Sequence, residues 1–462
     1  MLSGRTTHDL DFVLDGGAIQ AGRKVARGLQ ADFYPLDVER DTGRILLKQA
    51  PFGRMLIDFA SLRGSDLESD LRMRDFTINA IAIEVRHPDA ILDPLGGVRD
   101  LLAQELKVCS PRTFEDDPIR ILRAARLSNQ HTLKIPPVTR QLLRDALPGI
   151  TDVSPERVRD ELFRMLDGEK PWNAIRLMDA LGILPIVLPE IHELKGIQQP
   201  PPHIHDVFDH SLSVMQKLGE LIQSLGLEHE PEEGTNWVMG LVSIRLGRYR
   251  VQLSTHLSDR LNPERSPQSL IQMAALYHDA GKSAAQTRDS VGDIHFYGHE
   301  GAGEKLVRAR AEALRLSQIE IDLLGLIVRH HMRPFGLTNQ PGAVSRRSIY
   351  KFFRDTNSAG VDVCLVSMAD LLAAYGAGIP QDVWISRLDV IRSLLETYWE
   401  RAAETISPPT LLNGDDLMAN FGLSPGPEIG RILAALREAQ AAGEIHLREE
   451  ALVFVSSQIT QG

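Results

Sequence analysis

The chain has 462 residues, a formal net charge of −11, 43% hydrophobic residues and 24% charged residues, a composition that predicts a globular protein of about three or four domains. This acidic balance argues against a protein that coats nucleic acid over its whole surface, but it is compatible with a local basic groove. Two cysteines without a Cys-x-x-Cys pair exclude a disulfide framework and a zinc ribbon, and no signal peptide or membrane-length apolar run is recognised, so we expect a cytoplasmic protein without a membrane partner.

The first predicted element is a short strand, residues 8–14, that carries two carboxylates. A strand sends residues i and i+2 to the same face, so Asp9 and Asp11 point together while the alternate apolar side chains enter a core. Neighbouring carboxylates repel each other unless a cation lies between them, and Mg²⁺ prefers such oxygen ligands. The alternative is a strand edge with two solvated acids. A second predicted strand, residues 54–60, offers Asp58 as a third carboxylate, or as an acid paired with a nearby arginine.

From Asp117 onwards the pattern becomes helical. Asp117 is predicted to be an N-cap with Pro118 at the first helical position, and the same signal recurs at Ser154-Pro155. Arginines recur every third residue on the first of these helices, and more follow on the second. This pattern indicates either a solvated helix face of mixed charge or a set of phosphate contacts. The candidates for RNA binding are Arg123, Arg126 and Arg157.

Five segments, in their order and spacing, resemble the class II tRNA nucleotidyltransferase and poly(A) polymerase family. They are Asp9-Leu10-Asp11, residues 54–60, 70–82, 93–101 and 116–123. The resemblance is close over about residues 1–190 and weaker towards the C-terminus. It implies a polymerase-β-like nucleotidyltransferase domain that builds or repairs the 3′ CCA end of tRNA without a nucleic-acid template. It also implies tRNA, ATP and CTP as partners and Mg²⁺ as a cofactor.

The resemblance also implies roles for single residues. Asp9 and Asp11 match the pair that holds Mg²⁺, and Asp58 is the candidate for a third catalytic carboxylate. The nucleotide-binding candidates come from two further motifs, an Arg-Arg-Asp motif for ribose and phosphates and a Glu-Asp-x-x-Arg motif for the base edge. They are Arg72, Arg74, Asp75, Asp117 and Arg120. Two positions depart from these motifs: Met73 stands where the first arginine is expected, with Arg72 as its substitute, and Asp116 stands where the glutamate is expected.

A further departure concerns the phosphate cradle. The family places Gly-Gly-x-Val-Arg-Asp just ahead of a Leu-x-Gly-Arg stretch, where backbone N–H groups cradle the triphosphate. This chain starts inside that stretch, at Met1-Leu2-Ser3-Gly4-Arg5. We expect either that the recorded start is too late or that a phosphate-binding element has been lost.

A histidine-rich helical region follows the proline-rich break at residues 198–202. Its segment Ala275 to Lys282 contains His278-Asp279-Ala280-Gly281-Lys282 and resembles the HD phosphohydrolase signature. The alternative is a set of core histidines on apolar helices. The resemblance implies a divalent metal, of unknown identity, held by His210, His278, Asp279 and Asp370. A second ion is expected at His299, His330 and His331, whereas His203, His205 and Asp206 are left out of the ligand set.

These observations predict an α+β protein in which a small nucleotidyltransferase domain precedes helical domains. The predicted domains are a catalytic domain at 1–104, a helical neck at 105–197, an HD domain at 203–400 and a small helical unit at 408–462. The predicted function is template-independent addition of C, A or both to tRNA, combined with a phosphohydrolase activity. The alternatives are a poly(A) polymerase, or an HD metallophosphohydrolase whose N-terminal half only binds RNA.

Overall fold

A computed structural model describes residues 9–50, 53–227, 236–259, 261–262, 265–338 and 344–460, without the side chains of residues 49, 50, 53 and 54. The chain divides into two compact units, Met1–Val153 and Ser154–Gly462. The start of the chain up to His8, which was used in the sequence analysis, lies outside the described residues. The predicted α+β class is confirmed, because a small N-terminal sheet domain precedes helical regions.

The first unit begins with a mixed four-stranded sheet and one helix. Its elements are β1 (Asp9–Leu14), α1 (Ala18–Leu29), β2 (Asp32–Asp37), β3 (Thr42–Ala50) and β4 (Gly53–Ser61). The strand order is β1-β4-β3-β2, with β1 parallel to β4 and the other neighbours antiparallel.

Helix α1 covers one face of this sheet. Ile45, Ile57 and Phe59 are buried there against alanines of α1, and the apolar residues of β1 pack on the same cluster. Asp41 fixes the start of the helix, because its carboxylate accepts hydrogen bonds from the backbone N–H groups of Ala18 and Ile19 at 2.7 and 3.0 Å. With this face occupied by α1, the alternate residues of β1, β3 and β4 point to the opposite face.

The rest of the first unit is a β-hairpin surrounded by short helices. Its elements are α2 (Leu67–Arg72), β5 (Ala82–Glu84), β6 (His87–Leu92), α3 (Gly97–Leu102), α4 (Thr113–Asp116), α5 (Ile119–His131) and α6 (Pro137–Asp145). The predicted N-cap at Asp117 is one residue too early, since Pro118 occupies that position and α5 begins at Ile119. The carbonyl group of Asp117 still accepts the N–H of Arg120 at 3.1 Å.

The second unit is almost entirely helical. Its elements up to the histidine-rich region are α7 (Pro155–Leu166), α8 (Pro171–Leu181), α9 (Leu184–Val187), α10 (Pro189–His192), α11 (Val207–Ser224), α12 (Trp237–Leu246), α13 (Arg250–Ser258), α14 (Pro267–Tyr277), α15 (Lys282–Ala285), β7 (Thr287–Arg288), β8 (Ile294–His295), α16 (His299–Ala313), α17 (Gln318–His330) and α18 (Arg333–Thr338). It continues with α19 (Arg346–Thr356), α20 (Gly360–Tyr375), α21 (Gln381–Glu400), α22 (Ala402–Thr405), α23 (Gly414–Phe421), α24 (Pro427–Ala442) and α25 (Arg448–Thr460). The predicted helix start at Ser154 is confirmed.

Helices α11, α14 and α20 form the core of this unit, and most residues of α14 and α20 are buried. The stretch 346–378 is long and apolar enough to cross a membrane by composition, a run that the sequence analysis did not recognise. However, 83% of its most apolar window is buried inside the protein, as in the core helix of a globular domain. Helices α23 to α25 pack on a hydrophobic cluster of their own that includes Leu417, Ile432 and Val455.

Candidate active sites

Three carboxylates and one guanidinium lie close together on the sheet face opposite α1. The strand register puts Asp11 directly beside Asp58, and Asp58 directly beside Arg44. Arg44 donates two hydrogen bonds to the carboxylate of Asp58, both at 2.8 Å. Asp9 is two residues before Asp11 and therefore on the same strand face. The structure brings all three acids together and also pairs Asp58 with an arginine, while the catalytic role of Asp58 stays a prediction.

The electrostatic environment of Asp11 is that of a cation site. Loss of part of its hydration raises the pKa of Asp11, although the residue as a whole stays exposed. The negative charge of Asp58, and to a smaller extent that of Asp9, raises this pKa further, whereas Arg74 and Arg44 oppose the shift. Carboxylates that repel one another in this way gain from a divalent cation with oxygen ligands. Arg44 is a member of this site that the sequence analysis missed, since only the strand register reveals it.

The two arginines predicted to bind the nucleotide lie in different environments. Arg74 is partly exposed, its Nε is 3.4 Å from an oxygen of Asp70, and its charge acts on Asp11. Arg72 is exposed and donates hydrogen bonds to Glu68, one turn earlier on α2, at 2.6 and 3.2 Å. The positive charge of Arg74 lowers the pKa of Asp11, so Arg74 acts on the group of carboxylates. The predicted substitution of Arg72 for the missing motif arginine stays a prediction.

Asp75 is buried, and its carboxylate is engaged by protein groups. Arg123 donates to its Oδ2 at 2.9 Å, and the N–H of Phe76 and the side chain of Asn79 donate to its Oδ1 at 2.8 and 3.1 Å. Burial raises the pKa of Asp75, but Arg123 and the other donors outweigh it, so the pKa lies below the usual value. This arrangement gives Asp75 and Arg123 a positioning role between α2 and α5. Their direct contacts with nucleotide and RNA stay predictions.

The guanidinium of Arg120 is fixed by the backbone. It donates to the carbonyl oxygen of Met73 at 2.9 Å and to that of Thr113 at 3.3 Å. Arg120 therefore has a defined direction before any nucleotide binds. Arg126, on the same helix, donates to Gln130 at 3.2 Å. Arg157 is exposed on α7 and belongs to the second compact unit.

A second site lies in the helical unit, where seven metal-binding side chains come together. Their donor atoms form overlapping groups in which all atoms lie within 4.8 Å of one another. The members are His203, His210, His278, Asp279, His299, His331 and Asp370. His330 belongs to none of these groups, so the structure does not bring this predicted ligand to the centre. His203, which the sequence analysis left out, does belong.

Three histidines of this centre are oriented in the same way. The Nδ1 atoms of His278, His299 and His331 each lie 2.8 Å from the carbonyl oxygen of the residue three positions earlier. Such a bond places the ring proton on Nδ1 and turns Nε2 towards the centre, which is the usual second shell of a metal-binding histidine. His330 precedes His331 at the end of α17, where adjacent residues face different directions, and only His331 belongs to the metal-binding groups.

Asp279 lies between two groups of histidines. Its Oδ2 is 3.1 Å from Nε2 of His278 and 3.6 Å from Nε2 of His210. Its Oδ1 is 3.4 Å from Nε2 of His299 and 3.9 Å from Nε2 of His331. Each oxygen of Asp279 therefore faces a different group of histidines, and Asp279 would contribute to the ligand set of a metal in either group.

The buried ring nitrogens of the centre show that these residues fit a metal. The Nε2 atoms of His278, His299 and His331 are buried without a hydrogen-bond partner, and so is Nδ1 of His210. An unsatisfied buried polar atom is costly, and a divalent cation would satisfy several of them together. Burial lowers the pKa of His210 and of His331 to about 4, so both rings are neutral, as a metal requires.

The absence of a side chain at Gly281 allows the backbone of α16 to pack directly against this residue. A Cβ atom there would lie 2.0 Å from the carbonyl oxygen of His299 and 2.5 Å from the backbone nitrogen of Gly303. The first turn of α16 thus packs directly on the backbone that follows Asp279. Lys282 completes the segment, because its ammonium group donates to Asp279 at 2.6 Å. The His-Asp-x-Gly-Lys pattern is explained by this packing.

Four family models match successive parts of the chain. The Poly A polymerase head domain matches residues 1–107, and the RNA- and SrmB-binding site of polymerase A matches residues 132–195. The HD domain matches residues 207–375, and domain 2 of tRNA nucleotidyltransferases matches residues 405–455.

Curated relatives extend the match across the chain. A multifunctional CCA protein of Acidovorax sp. is 31% identical over 343 residues, which are 71% of this chain and 69% of that protein. The chain belongs to the tRNA nucleotidyltransferase and poly(A) polymerase family. Within this family, an A-adding tRNA nucleotidyltransferase of Deinococcus radiodurans is 29% identical, covering 98% of this chain and 92% of that protein. A CC-adding tRNA nucleotidyltransferase of Geobacter sulfurreducens is 28% identical, covering 99% and 89%.

The fold agrees with this family assignment. The structure of a CCA-adding enzyme in complex with ATP superposes with a TM-score of 0.58 at 20% identity, covering 99% of this chain and 88% of that one. The resemblance predicted from the sequence motifs is confirmed for the family and for the fold. The assignment also makes the chain a tRNA nucleotidyltransferase family enzyme with an added HD domain.

Proposed function

We propose that this protein adds C, A or both from CTP and ATP to the 3′ end of tRNA in the cytoplasm, without a nucleic-acid template and with Mg²⁺ as cofactor. The observation that carries this proposal is the group of three carboxylates, Asp9, Asp11 and Asp58, on the open face of the sheet. The relatives named for A addition and for CC addition support tRNA as the substrate.

Each residue of the first site has a task in this reaction. Asp9 and Asp11 would hold Mg²⁺, which when bound supplies charge neutralisation for the triphosphate and for the attacking 3′-hydroxyl. Arg44 holds Asp58 in place and limits the negative charge of the group. Arg74, whose charge already acts on Asp11, would contact phosphate oxygens. Positioning and charge neutralisation supply most of the catalysis in such transfers.

Asp117 and Arg120 would read the edge of the incoming base. An aspartate acceptor and an arginine donor together fit the hydrogen-bonding pattern of C and A, and Arg120 is already directed by two backbone carbonyl groups. Protein groups would thus replace the template strand. Because the site is built from polar groups, a base that leaves them unpaired is rejected strongly.

The HD centre would carry a metal-dependent phosphohydrolase activity. Its donor set of histidines and aspartates suits first-row divalent metals, and bound metal would supply charge neutralisation for a phosphate ester. Backbone carbonyl groups hold three of the histidine rings in fixed positions, and Asp279 would belong to the ligand set on both of its sides. A phosphate at an RNA end is the substrate class that fits the proposed neighbouring activity.

The proposal is tested by removing the carboxylates one at a time. Asp9→Ala and Asp11→Ala should each reduce nucleotide incorporation into tRNA by several orders of magnitude, measured by primer extension with labelled CTP and ATP in Mg²⁺. Asp15→Ala is the matched control, since Asp15 is an exposed acid just beyond β1. Full activity after loss of both Asp9 and Asp11 would contradict the assignment.

The tRNA end used in the assay distinguishes the candidate specificities. A CC-adding protein extends a tRNA that lacks the whole CCA end by two C residues and stops, whereas an A-adding protein extends only a tRNA that already ends in CC. A CCA-adding protein completes both, and a poly(A) polymerase adds a long run of A to either. Binding of tRNA without any incorporation would favour an HD hydrolase whose first unit only binds RNA.

A further inference from the structure

We propose that His203, from the loop that precedes α11, is an additional ligand of the HD metal centre. This inference rests on the proposed metal binding by that centre and adds a ligand that comes from outside the matched HD domain, which begins at residue 207. The loop comprises residues 198–206 and follows the last helix of the segment matched to the RNA-binding model.

The first support is the position of the imidazole ring. A donor nitrogen of His203 lies within 4.8 Å of the ligand atoms of His210 and Asp370, which themselves lie 3.1 Å apart. The ring centroids of His203 and His210 are 4.9 Å apart, in an edge-to-face arrangement. A cation bound between His210 and Asp370 is therefore within reach of a third donor from the loop.

The second support is the way the ring is held. Nδ1 of His203 lies 3.0 Å from the carbonyl oxygen of Pro200, three residues earlier in the chain. His278, His299 and His331 show the same arrangement, each with Nδ1 on the carbonyl oxygen three residues back. This bond puts the proton on Nδ1 and leaves the lone pair of Nε2 for a metal. His203 thus repeats the orientation of the predicted ligands, although it lies in a loop rather than at a helix end.

The third support is that the loop is anchored to the centre. Gln199 accepts a hydrogen bond from the ammonium group of Lys282 at 2.6 Å, and that group also donates to Asp279 at 2.6 Å. At the other end, Asp206 accepts the backbone N–H of Asp209 at 2.8 Å and that of Gly196 at 2.7 Å. Both ends of the loop are therefore fixed, and His203 lies between these attachments.

His203 differs from the other members of the centre in its exposure. It is half-buried, whereas His210, His278 and His331 are fully buried. The solvent side of a metal centre is the side from which a substrate enters, so His203 would hold the metal on the side that a substrate approaches. Residues 198–206 would therefore form the solvent-facing side of the HD active site.

The test compares metal binding by the full-length wild-type protein and three variants. The variants are His203→Ala, His203→Gln and the matched control His205→Ala, whose side chain lies in the same loop but is exposed and belongs to none of the metal-binding groups. Metal-free proteins are titrated with Co²⁺ and Mn²⁺, and affinity, stoichiometry and the visible absorption of bound Co²⁺ are recorded. Circular dichroism and thermal melting of the metal-free proteins confirm that each variant folds.

We expect His203→Ala to weaken Co²⁺ binding at least about 10-fold, since loss of even a second-shell partner costs about 10- to 100-fold, and to alter the Co²⁺ absorption bands. His203→Gln should retain part of the affinity, because its amide oxygen can still reach the cation, and His205→Ala should behave as wild type. Equal affinity and equal spectra for wild type and a folded His203→Ala would overturn the inference. A wild-type protein that binds no metal would instead overturn the proposed HD metal function, while leaving nucleotide addition untouched.

Discussion

The two candidate active sites are built on opposite principles. The first lies open on a sheet face and consists of oxygen donors, Asp9, Asp11 and Asp58, with Arg44 and Arg74 close by. The HD centre is enclosed by α11, α14, α16, α17 and α20, and its donors are histidine nitrogens and two carboxylates that are mostly buried. In the first site the carboxylate charges repel one another, whereas in the HD centre buried imidazole nitrogens have no hydrogen-bond partner.

This difference shows how far each site is organised before metal or substrate binds. Repulsion among exposed carboxylates is screened by water, so the first site is an incomplete set of ligands that a metal–triphosphate pair would finish. In the HD centre, the donor groups already lose their hydration when the protein folds. Backbone carbonyl groups fix the imidazole rings of His278, His299 and His331. We therefore expect weak metal binding without substrate at the first site and tight metal binding at the second.

The largest effect should come from removing the central ligands of the HD centre. His278→Ala combined with Asp279→Ala should abolish tight binding of a transition metal, because Asp279 faces both metal positions. Metal content by mass spectrometry and nucleotide addition to tRNA are measured on the same samples. Addition should stay within about twofold of wild type, and its loss in a folded double variant would show that the two sites are not independent.

The next largest effect concerns base choice at the open site. Arg120→Ala should reduce the preference for CTP and ATP over UTP and GTP by about 10²-fold or more, because a polar recognition site loses a partner. Incorporation of each nucleotide is compared at equal concentrations. Arg126→Ala, six residues further along α5, removes a candidate RNA contact instead, and should leave the base preference unchanged whatever its effect on the rate. A slower variant with unchanged preference would remove Arg120 from base recognition.

A smaller effect tests how firmly the HD centre is held by its surroundings. Glu190, on α10, accepts two hydrogen bonds from Arg310 at 2.7 Å and one from Tyr277 at 2.5 Å, next to the ligand His278. Glu190→Gln should lower the free energy of unfolding by about 1–3 kcal/mol, since it leaves the half-buried guanidinium of Arg310 poorly paired. Removing the exposed Arg176–Asp209 pair by Arg176→Ala should cost less than about 1 kcal/mol. Equal losses in denaturant titrations would contradict this ranking.

The smallest effect is a gain of stability at the open site. In the folded protein the pKa of Asp11 is raised, so its charged carboxylate is less favourable there than in the unfolded chain. The resulting loss of stability is fully present above the folded pKa and disappears as the pH falls from that pKa to the unfolded one. Asp11→Asn should therefore raise the melting temperature at pH 7 without metal, by about 1 °C given the solvent screening. Asp58→Asn should lower it, because it loses the charge of the Arg44 pair. The same sign for both variants would contradict the electrostatic description.

The sequence predicted the parts of both sites that follow a regular spacing. The period-two pattern of β1 placed Asp9 and Asp11 on one face, and the His-Asp-x-Gly-Lys segment located the HD centre. Arg44 was missed because a strand register joins residues that are distant in the chain. The geometry groups His203, which the sequence analysis left out, with His210 and Asp370, and it leaves His330 outside the groups. A loop has no period, and adjacent histidines on a helix give no sign of which one faces inward. The burial of Asp75 and its pairing with Arg123 are not visible in a motif, and its nucleotide contact stays a prediction.

Gly281 illustrates how a change that touches no ligand can act as a metal-site mutation. A single methyl group at this position would collide with the carbonyl oxygen of His299, at 2.0 Å, and backbone atoms cannot move aside as a flexible side chain would. The first turn of α16 would shift and take the imidazole of His299 with it. Anyone who interprets natural variants or designs libraries for this protein should therefore expect Gly281→Ala to displace the proposed metal ligand His299, although alanine is ordinarily a mild replacement for glycine.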